Sequence, residues 1–528
     1  MRHNQAWSRR DLLRTLASLP FAGVPLAGAS LSLAPAPLTA APSFPRDPFS
    51  LGVASGYPQP NGMVLWTRLA PEPLAPAGGM PSARVPVRWE LAQDQGFRRI
   101  AAAGTAYATP QWAHSVHVEP YGLEPDQEYW YRFHAGGATS PVGRTRTAPA
   151  KGAPADRLRI GVGSCQHYAQ GFYSAYRHVA ADALDLFLHL GDYIYESAWG
   201  RNPVRSQGAT EPVTLGDYRR HYALYKSDPD LQAAHASCPW LVVWDDHEVD
   251  NDYADSISQD EDTPAWFLAR RAAAYRAYYE HMPLPRGMVP FGPHMRIHTR
   301  LDYGRLARVH MLDDRQYRSP QPCPKPGRAG SNLITGDCAE RLNPEATLLG
   351  ARQERWLAAG LDGSDAHWNL LGQQTLMAHA DGREGDGERY FSDGWDGYPA
   401  ARQRLMDLFA QGVCANPVVL GGDVHSFWVT DLKQDFADET APAVASEFVG
   451  TSITSQPPPE DRIQATLREN PHIHYATGEH RGYLRLTVTP QRLTVDLRGV
   501  AGVRERDAAC ETVASFIVED GVPGPMRG

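Results

Sequence analysis

The chain has 528 residues, of which 42% are hydrophobic and 21% charged, a composition typical of a globular protein long enough for two or three domains. Its 51 basic and 60 acidic residues give a formal net charge of −9. Because sequence-independent binding of nucleic acid requires a basic surface, we expect no nucleic-acid recognition.

Residues 1–45 are predicted to be an export signal. Residues 8–13 read Ser-Arg-Arg-Asp-Leu-Leu, the pattern of a twin-arginine signal, and residues 15–45 carry no charge. Pro20 and Pro25 would interrupt a membrane-spanning helix, so we expect no stable membrane anchor. The sequence therefore predicts passage through the twin-arginine translocase and a periplasmic or secreted protein.

Residues 46–150 are predicted to form an all-β domain of the immunoglobulin or fibronectin type III kind. Short β-rich runs alternate with Pro, Gly and Asn turns in this part of the chain. The runs are residues 63–66, 85–91 and 115–118. Residues 123–133 resemble the corner and penultimate strand of a β-sandwich. An Ala- and Pro-rich stretch at 145–155 is a predicted linker.

Residues 151–528 are predicted to form an α/β domain, because short apolar runs are followed at once by Gly or polar residues and then by helical stretches. The runs are residues 158–162, 184–190, 241–244, 307–312, 368–371 and 418–420. Buried strands with polar residues just past their carboxyl ends are typical of a sheet with its functional site along one edge.

Two further elements are predicted in this domain. Thr263 as N-cap and Pro264 at the first helical position predict a long helix that ends near His281. Residues 483–488 and 493–498 are predicted to pair as a hairpin.

The polar residues after the predicted strands include metal-ligand types. Asp192 is a candidate bridging carboxylate, and Tyr195, three residues on, can turn back to the same metal. A phenolate ligand favours a hard, Lewis-acidic ion such as Fe³⁺. Cys165 can add a thiolate, and Asp423 with His425 offers an oxygen and a nitrogen ligand on one tight turn.

Residues 245–252 read Asp-Asp-His-Glu-Val-Asp-Asn-Asp, an oxygen-rich segment suited to Ca²⁺ or Mg²⁺. Each feature alone also has an ordinary interpretation: an Asp at a strand end is commonly a helix N-cap, and a buried Cys is commonly part of the core. Four successive strand ends with compatible ligands together favour a metal cluster, the arrangement that hydrolysis of phosphate esters needs.

The cysteines outside this set allow two interpretations. Cys323 and Cys338 bracket a Pro- and Gly-rich loop, where a disulfide and two free thiols are equally compatible with the sequence. Cys238, Cys414 and Cys510 are predicted to be buried or unpaired thiols.

Five motifs, taken in chain order, resemble those of the alkaline phosphatase D (PhoD) family. They are Gly-Ser-Cys-Gln, Gly-Asp-Tyr-Ile-Tyr-Glu, Trp-Asp-Asp-His-Glu-Val-Asp-Asn, Leu-Asp-Asp-Arg-Gln-Tyr-Arg and Gly-Gly-Asp-Val-His. The resemblance covers nearly the whole mature chain. It implies a four-layer αββα metallophosphoesterase core behind an N-terminal β-sandwich, with a cluster of one Fe³⁺ and two Ca²⁺.

The resemblance also implies a ligand set. The positions that match the ligands of the iron are Cys165, Asp192, Tyr195 and His425. Asp192 and Asp423 would bridge towards calcium, with Asn251 as a further calcium ligand. Asp246 stands where wider metallophosphoesterases have Asn, so it is a ligand in place of Asn251 or beside it.

Two residues are predicted to act on the substrate. His247 is expected to protonate the leaving group or to hold the phosphate. Arg315 is a candidate phosphate clamp, because a guanidinium matches two phosphoryl oxygens. An ion pair of Arg315 with Asp313 or Asp314 is the alternative interpretation.

The predicted function is a secreted alkaline phosphatase or phosphodiesterase, expected to be a monomer. It would hydrolyse small or polymeric phosphate esters by direct attack of a metal-bound hydroxide on phosphorus. Ser164 is interpreted as part of a turn and not as a nucleophile. The alternatives are a phospholipase D-like or teichoic-acid-type phosphodiesterase and, in another class, a non-catalytic cell-surface binding protein.

Overall fold

The computed structural model describes residues 43–208 and 210–528, so all but the last three residues of the predicted export signal lie outside the described residues. Within the described part, no helix is long and apolar enough to cross a membrane.

Regular structure accounts for much of the described chain. The strands are β1 (Val53–Gln59), β2 (Gly62–Arg68), β3 (Val85–Ala92), β4 (Ile100–Ala108), β5 (Ser115–Val118), β6 (Glu128–Ala135), β7 (Ala138–Thr139), β8 (Gly143–Arg146), β9 (Leu158–Gly163), β10 (Leu186–His189), β11 (Pro239–Val242), β12 (Thr299–Tyr303), β13 (Ala307–Met311), β14 (Leu333–Thr335), β15 (Trp368–Gly372), β16 (Arg389–Phe391), β17 (Pro417–Gly421), β18 (Phe427–Lys433), β19 (Ala443–Val449), β20 (Ile473–Thr477), β21 (Arg481–Val488), β22 (Arg492–Val500), β23 (Cys510–Glu519) and β24 (Val522–Arg527). The helices are α1 (Ser174–Ala181), α2 (Leu215–Lys226), α3 (Pro229–Ser237), α4 (Pro264–His281), α5 (Gly350–Asp362), α6 (Pro399–Ala410) and α7 (Glu460–Glu469).

A ten-stranded sheet runs through the molecule in the order β24-β23-β22-β21-β9-β10-β11-β1-β2-β5. Strands β9, β10 and β11 are parallel neighbours in it, so their carboxyl ends meet at one edge. The predicted hairpin is confirmed: β21 and β22 pair antiparallel, with Leu484 opposite Leu497.

The all-β N-terminal part is continuous with this sheet. Strand β1 pairs parallel with β11, with Ser55 opposite Pro239, and β2 and β5 extend the sheet beyond it. A separate sheet of β4, β3, β6, β7 and β8 packs on these strands, since Val87 and Tyr131 share a core cluster with Leu65. The predicted domain boundary near residue 150 therefore crosses a continuous hydrogen-bonded sheet.

A second, seven-stranded sheet has the order β12-β13-β15-β17-β19-β18-β20. Side chains alternate along its strands. Val418 and Leu420 pack in the large cluster shared with the ten-stranded sheet, whereas Val419 packs with Leu357 of α5 and Leu405 of α6. Helices α1 and α3 contact strands of the ten-stranded sheet. Helices therefore cover two packed sheets, and the predicted α/β class is confirmed.

Helix α4 has the bounds that the sequence predicts, from Pro264 to His281. Thr263 is its N-cap residue, although its side chain makes no capping hydrogen bond. Within the helix, Tyr275 stacks on Trp244 with ring centroids 4.1 Å apart. Trp244 directly precedes the acidic segment 245–252, so this packing fixes the point at which the segment leaves the sheet.

Candidate metal centre

The carboxyl ends of four parallel strands bring the predicted ligands together. Cys165 follows β9, Asp192 follows β10, Asp246 follows β11, and Asp423 with His425 follows β17. Three groups of possible ligand atoms each lie within 4.8 Å of one another, and all three contain Asp192. The groups are Cys165–Asp192–His425, Asp192–Asp246–His247 and Asp192–Asp245–Asp423.

Tight turns aim these side chains. The backbone φ angles are 59° at Cys165, 56° at Asp192, 62° at Asp423 and 54° at His425, all in the left-handed region. Non-glycine residues occupy this region at a cost of about 1–2 kcal/mol each. Strain of this kind, concentrated in four residues at three neighbouring strand ends, is typical of a functional site.

Two glycines let the strand ends approach closely. At Gly191 (φ 108°) an added Cβ would lie 2.4 Å from Cβ of Asp245. At Gly422 it would lie 2.5 Å from Oγ of Ser164. Neither position tolerates a side chain, so the close approach of β10 to β11 and of β17 to β9 depends on glycine.

The Tyr195 hydroxyl lies between the candidate iron ligands. It donates a hydrogen bond to Oδ2 of Asp192 at 2.7 Å, accepts one from Oγ of Ser455 at 2.8 Å, and lies 3.1 Å from Nε2 of His425. Burial and the nearby Asp192 carboxylate raise the pKa of Tyr195 well above its usual value. Burial likewise raises the pKa of the Cys165 thiol.

The carboxylates converge with too little positive charge between them. Burial raises the pKa of Asp423 to about 7 and that of Asp192 well above its usual range, the latter although His247 opposes the shift. In the described part of the chain, the buried Oδ1 of Asp192 has no hydrogen-bond partner. Cations would supply this partner and keep the donors ionised, so the residues fit a metal cluster.

His247 lies at the edge of this centre and lines a cavity. Its Nδ1 is 2.7 Å from Oε2 of Glu196. Burial by itself lowers the pKa of His247, but the carboxylates of Glu196, Asp246 and Asp192 outweigh it and raise the pKa well above its usual value. The predicted role as a proton donor is therefore compatible with its surroundings.

Arg315 is not placed as a phosphate clamp. Its guanidinium is buried and binds Asp245 at 2.5 Å and Asp393 at 2.7 Å, and it is not among the residues that line the cavity. The alternative of an ion pair is nearer the observed arrangement, although the partners are not Asp313 or Asp314. The side chain holds the carboxylates of Asp245 and Asp393, of which Asp393 lines the cavity.

The remaining candidate calcium ligands face the same cavity. The amide Nδ2 of Asn251 donates to Gln259 at 3.0 Å, which leaves its Oδ1 as the ligand atom. Asp246, Asp252 and Asp393 form a further group of ligand atoms within 4.8 Å of one another. Sequence reasoning missed Asp393, because it follows β16, a strand of three residues that gives little periodic signal.

The cavity above the centre measures about 700 Å³. The predicted site residues that line it are Asp246, His247, Asn251, Asp423 and His425. Cys165, Asp192 and Tyr195 are buried beneath these residues. The lining therefore separates residues that could touch a substrate from residues that could only hold a metal.

Cys323 and Cys338, left open by the sequence, form a disulfide with their Cα atoms 6.2 Å apart. Cys238, Cys414 and Cys510 are free, and Cys238 is fully buried.

Comparison with known proteins agrees with this geometry. The model of the family "PhoD-like phosphatase" matches residues 160–497, and that of its N-terminal domain matches residues 33–149. The chain is similar to alkaline phosphatase D of Bacillus subtilis (strain 168), with 47% identity over 492 residues that cover 91% of this chain and 82% of that protein.

A solved structure described as the structure of PhoD is also similar. It shares 46% identity, covers 92% of this chain and 93% of its own, and superposes with a TM-score of 0.88. The chain is thus a phosphoric ester hydrolase and belongs to the PhoD-like phosphatase family.

Proposed function

We propose that the chain is an exported alkaline phosphatase and phosphodiesterase that depends on one Fe³⁺ and two Ca²⁺. The observation that carries the proposal is the position of Asp192, whose carboxylate belongs to three neighbouring groups of ligand atoms. A carboxylate shared in this way is the bridge that a multi-metal phosphoesterase needs.

The chemistry of the donors supports the assignment of the metals. A thiol, a phenol, a carboxylate and an imidazole surround the proposed iron site, and a phenolate suits a hard, Lewis-acidic ion. The ligands there would be Cys165, Asp192, Tyr195 and His425. The oxygen-only set towards the cavity suits Ca²⁺, with Asp423, Asp246 and Asn251 as its ligands beside Asp192.

When bound, the ions lower the pKa of coordinated water and offset the negative charge of the phosphoryl group. The chain positions the reaction around them. His247, held at Nδ1 by Glu196, has Nε2 left to donate a proton to the leaving oxygen. Arg315 fixes Asp245 and Asp393, so that the carboxylates keep their positions as the charge on the substrate changes.

We infer direct attack of water on phosphorus, without a covalent enzyme intermediate. Ser164, the hydroxyl nearest to Cys165, is buried and accepts from the Cys165 thiol at 3.2 Å, which suits a turn and not a nucleophile. Hydrolysis in ¹⁸O-labelled water should place one label in the released phosphate and none in the alcohol. Label in the alcohol would show cleavage of the carbon–oxygen bond and would contradict attack on phosphorus.

The size of the cavity favours activity on diesters as well as monoesters. The phospholipase D-like and teichoic-acid-type alternatives are diesterase activities, so the cavity is compatible with them too. A phosphate has five non-hydrogen atoms, each of which takes less space than the roughly 30 Å³ of a water molecule in the liquid, so the group fills less than about 150 Å³. The cavity of about 700 Å³ leaves room for a second ester group. Rates on a nitrophenyl monoester and its bis-ester, measured side by side, separate the two activities.

Export is supported by two features of the chain. The twin-arginine pattern at residues 8–13 is the signal for the translocase, and the Cys323–Cys338 disulfide suits an oxidising compartment. Fractionation of cells that carry the Arg9→Lys, Arg10→Lys variant tests the proposal. The variant should remain in the cytoplasm, whereas its unchanged appearance outside would contradict export by this route.

A further inference from the structure

The cavity above the metal centre has a second wall that the proposed chemistry does not use. One wall carries carboxylates and imidazoles, and the other is largely apolar. The apolar residues of the second wall are Leu333, Leu376, Phe391, Trp428 and Ile463. A cavity with an apolar wall and a few polar groups is the usual form of a small-molecule site.

Leu333 and Phe391 are the most exposed members of this wall. They lie directly opposite each other in the antiparallel ribbon of β14 and β16. Their side chains are 57% and 45% exposed, although both are large and apolar. A pair of exposed apolar side chains at the mouth of a cavity marks a binding surface.

The ribbon is fixed from its other face. Ile334 and Tyr390 are buried there and pack against the Cys323–Cys338 disulfide. The guanidinium of Arg341 lies 4.2 Å from the centre of the Tyr390 ring. Leu333 and Phe391 are therefore held at the cavity by a braced element and can bind without rearrangement.

The inner part of the same wall is a packed apolar surface. Trp428 of β18 and Ile463 of α7 belong to one core cluster, and Leu376 packs against it. The indole Nε1 of Trp428 donates to Oγ of Ser426 at 2.8 Å. Its polar atom is thus satisfied within the protein, so the indole needs no hydrogen bond from a ligand.

Two arginines lie on this wall without acidic partners. Arg389 and Arg462 line the cavity, and neither forms an ion pair with any residue that the structure describes. Arg328, in the same cavity, is paired with Asp252 at 3.2 Å, and Arg468 of α7 is paired with Glu384. Arg389 donates one hydrogen bond to the carbonyl oxygen of Gly382. Its other donors, and those of Arg462, remain available to an anion.

We propose that this wall is the subsite for the organic group of the substrate. The ester that it fits has an apolar group next to the ester oxygen and a second anionic group further out, which binds Arg389 and Arg462. The inference rests on the proposed phosphoesterase function and names the substrate class of the same site.

Three phosphate esters test the subsite on the metal-loaded protein: naphthyl phosphate, a naphthyl phosphate that also carries a carboxylate, and glycerol phosphate. Naphthol is a better leaving group than glycerol, so the subsite is tested by how each ratio of kcat/KM changes between variants. Phe391→Ser should lower the ratio of naphthyl to glycerol phosphate about tenfold, because an apolar contact of this size is lost. Leu333→Ser should change the same ratio in the same direction.

Arg462→Gln should remove the preference for the carboxylated ester, a change of about fivefold for an exposed ion pair. Two matched controls lie outside the cavity: Arg468→Gln on the same helix and Leu342→Ser, which removes another exposed leucine. Neither control should alter any ratio. Thermal unfolding of each variant checks that its fold is intact.

The failures of the two proposals are distinguishable. Hydrolysis of glycerol phosphate at full rate, with no preference for the naphthyl esters or with ratios that Phe391→Ser and Arg462→Gln leave unchanged, overturns the subsite alone. No hydrolysis of any of the three esters by the metal-loaded protein overturns the phosphoesterase function and the subsite with it.

Discussion

Asp192 belongs to each of the three groups of ligand atoms at the strand ends, and its buried Oδ1 has no hydrogen-bond partner among the described residues. A neutral amide at this position could accept or donate hydrogen bonds but could not bridge two cations. We therefore expect the amount of metal that the proposed centre holds to depend on this one charge.

Asp192→Asn should lose iron and calcium together, and its activity should fall by about 100-fold or more. Removing a residue that only hydrogen-bonds to a metal ligand already costs up to about 100-fold, and Asp192 is proposed to be a ligand itself. Metal content per chain and kcat/KM are the measurements. Asp230→Asn, which changes a carboxylate paired with Arg177 outside the centre, is the control. Retention of all metals by Asp192→Asn would contradict the role of Asp192 as a bridge.

Lys226 is a buried cation with no carboxylate partner in the described structure. Its ammonium donates to the hydroxyl of Tyr193 at 3.2 Å and lies 4.5 Å from the centre of the Trp66 ring. Burial lowers the pKa of Lys226 from 10.5 to about 7. Because the folded pKa lies below the unfolded one, the protonated side chain destabilises the fold below pH 7, and this penalty fades as the pH rises towards 10.5.

Lys226→Met should therefore raise the free energy of unfolding by about 3–5 kcal/mol near pH 6, and the gain should shrink steadily between pH 7 and 10. Denaturant unfolding of both proteins across this range measures the difference. A gain that is independent of pH would show that packing, and not the buried charge, is responsible. Lys433→Met, whose ammonium binds backbone carbonyls, is the comparison.

At the scale of single residues, the grouping of the candidate metal ligands could be predicted, because the carboxyl ends of parallel strands meet at one edge of a sheet. The carboxylates and the thiol were found in this way, and the structure brings them within ligand distance. The position of Arg315 could not be predicted, because its partner Asp393 lies 78 residues away in the sequence. Nothing local to the motif around Arg315 indicates that contact.

Among the elements, the ribbon of β14 and β16 depends on the disulfide behind it. The bond joins residues 15 apart, and closing a loop of that length stabilises by about 3 kcal/mol. The ribbon is only three residues long on each side, so hydrogen bonds between its strands cannot hold it alone.

The Cys323→Ser, Cys338→Ser variant should lose amide protection in β14 and β16 while the large sheets keep theirs. Hydrogen exchange followed by mass spectrometry measures this difference. Cys510→Ser, which removes a free thiol, should change neither region. Unchanged exchange in the ribbon of the double variant would show that the disulfide does not brace it.

Element boundaries were predictable where local chemistry sets them. Pro264 starts α4, and residues 115–118 form β5 as the sequence predicts, because turn and cap residues mark those ends. The pairing of β1 with β11 was not predictable, since it joins segments more than 180 residues apart. The sequence pattern fixes which segments are strands and leaves open which strands are neighbours.

For the whole molecule, this pairing makes the N-terminal strands part of the catalytic core. Without residues 43–150, β11 would become an edge strand, and the backbone at Pro239 and Trp240 would lose its pairing with β1. An exposed edge of this length with apolar side chains is prone to aggregate.

Residues 151–528 expressed alone should therefore be insoluble or aggregated, whereas residues 43–528 should be monodisperse. Size-exclusion chromatography of the two proteins is the measurement. A folded and active protein of residues 151–528 would show that the N-terminal part is an independent domain, as its sequence composition by itself suggests.

We propose that the strand ends hold one iron and two calcium ions that the hydrolysis requires. Elemental analysis of the mature protein purified without chelator, together with activity before and after calcium removal, tests it most directly. We expect about one iron per chain, with activity lost on chelation and restored by Ca²⁺. Zinc or manganese without a calcium requirement would contradict the roles given to Cys165 and Tyr195, and a protein that binds no stoichiometric metal would contradict the centre itself.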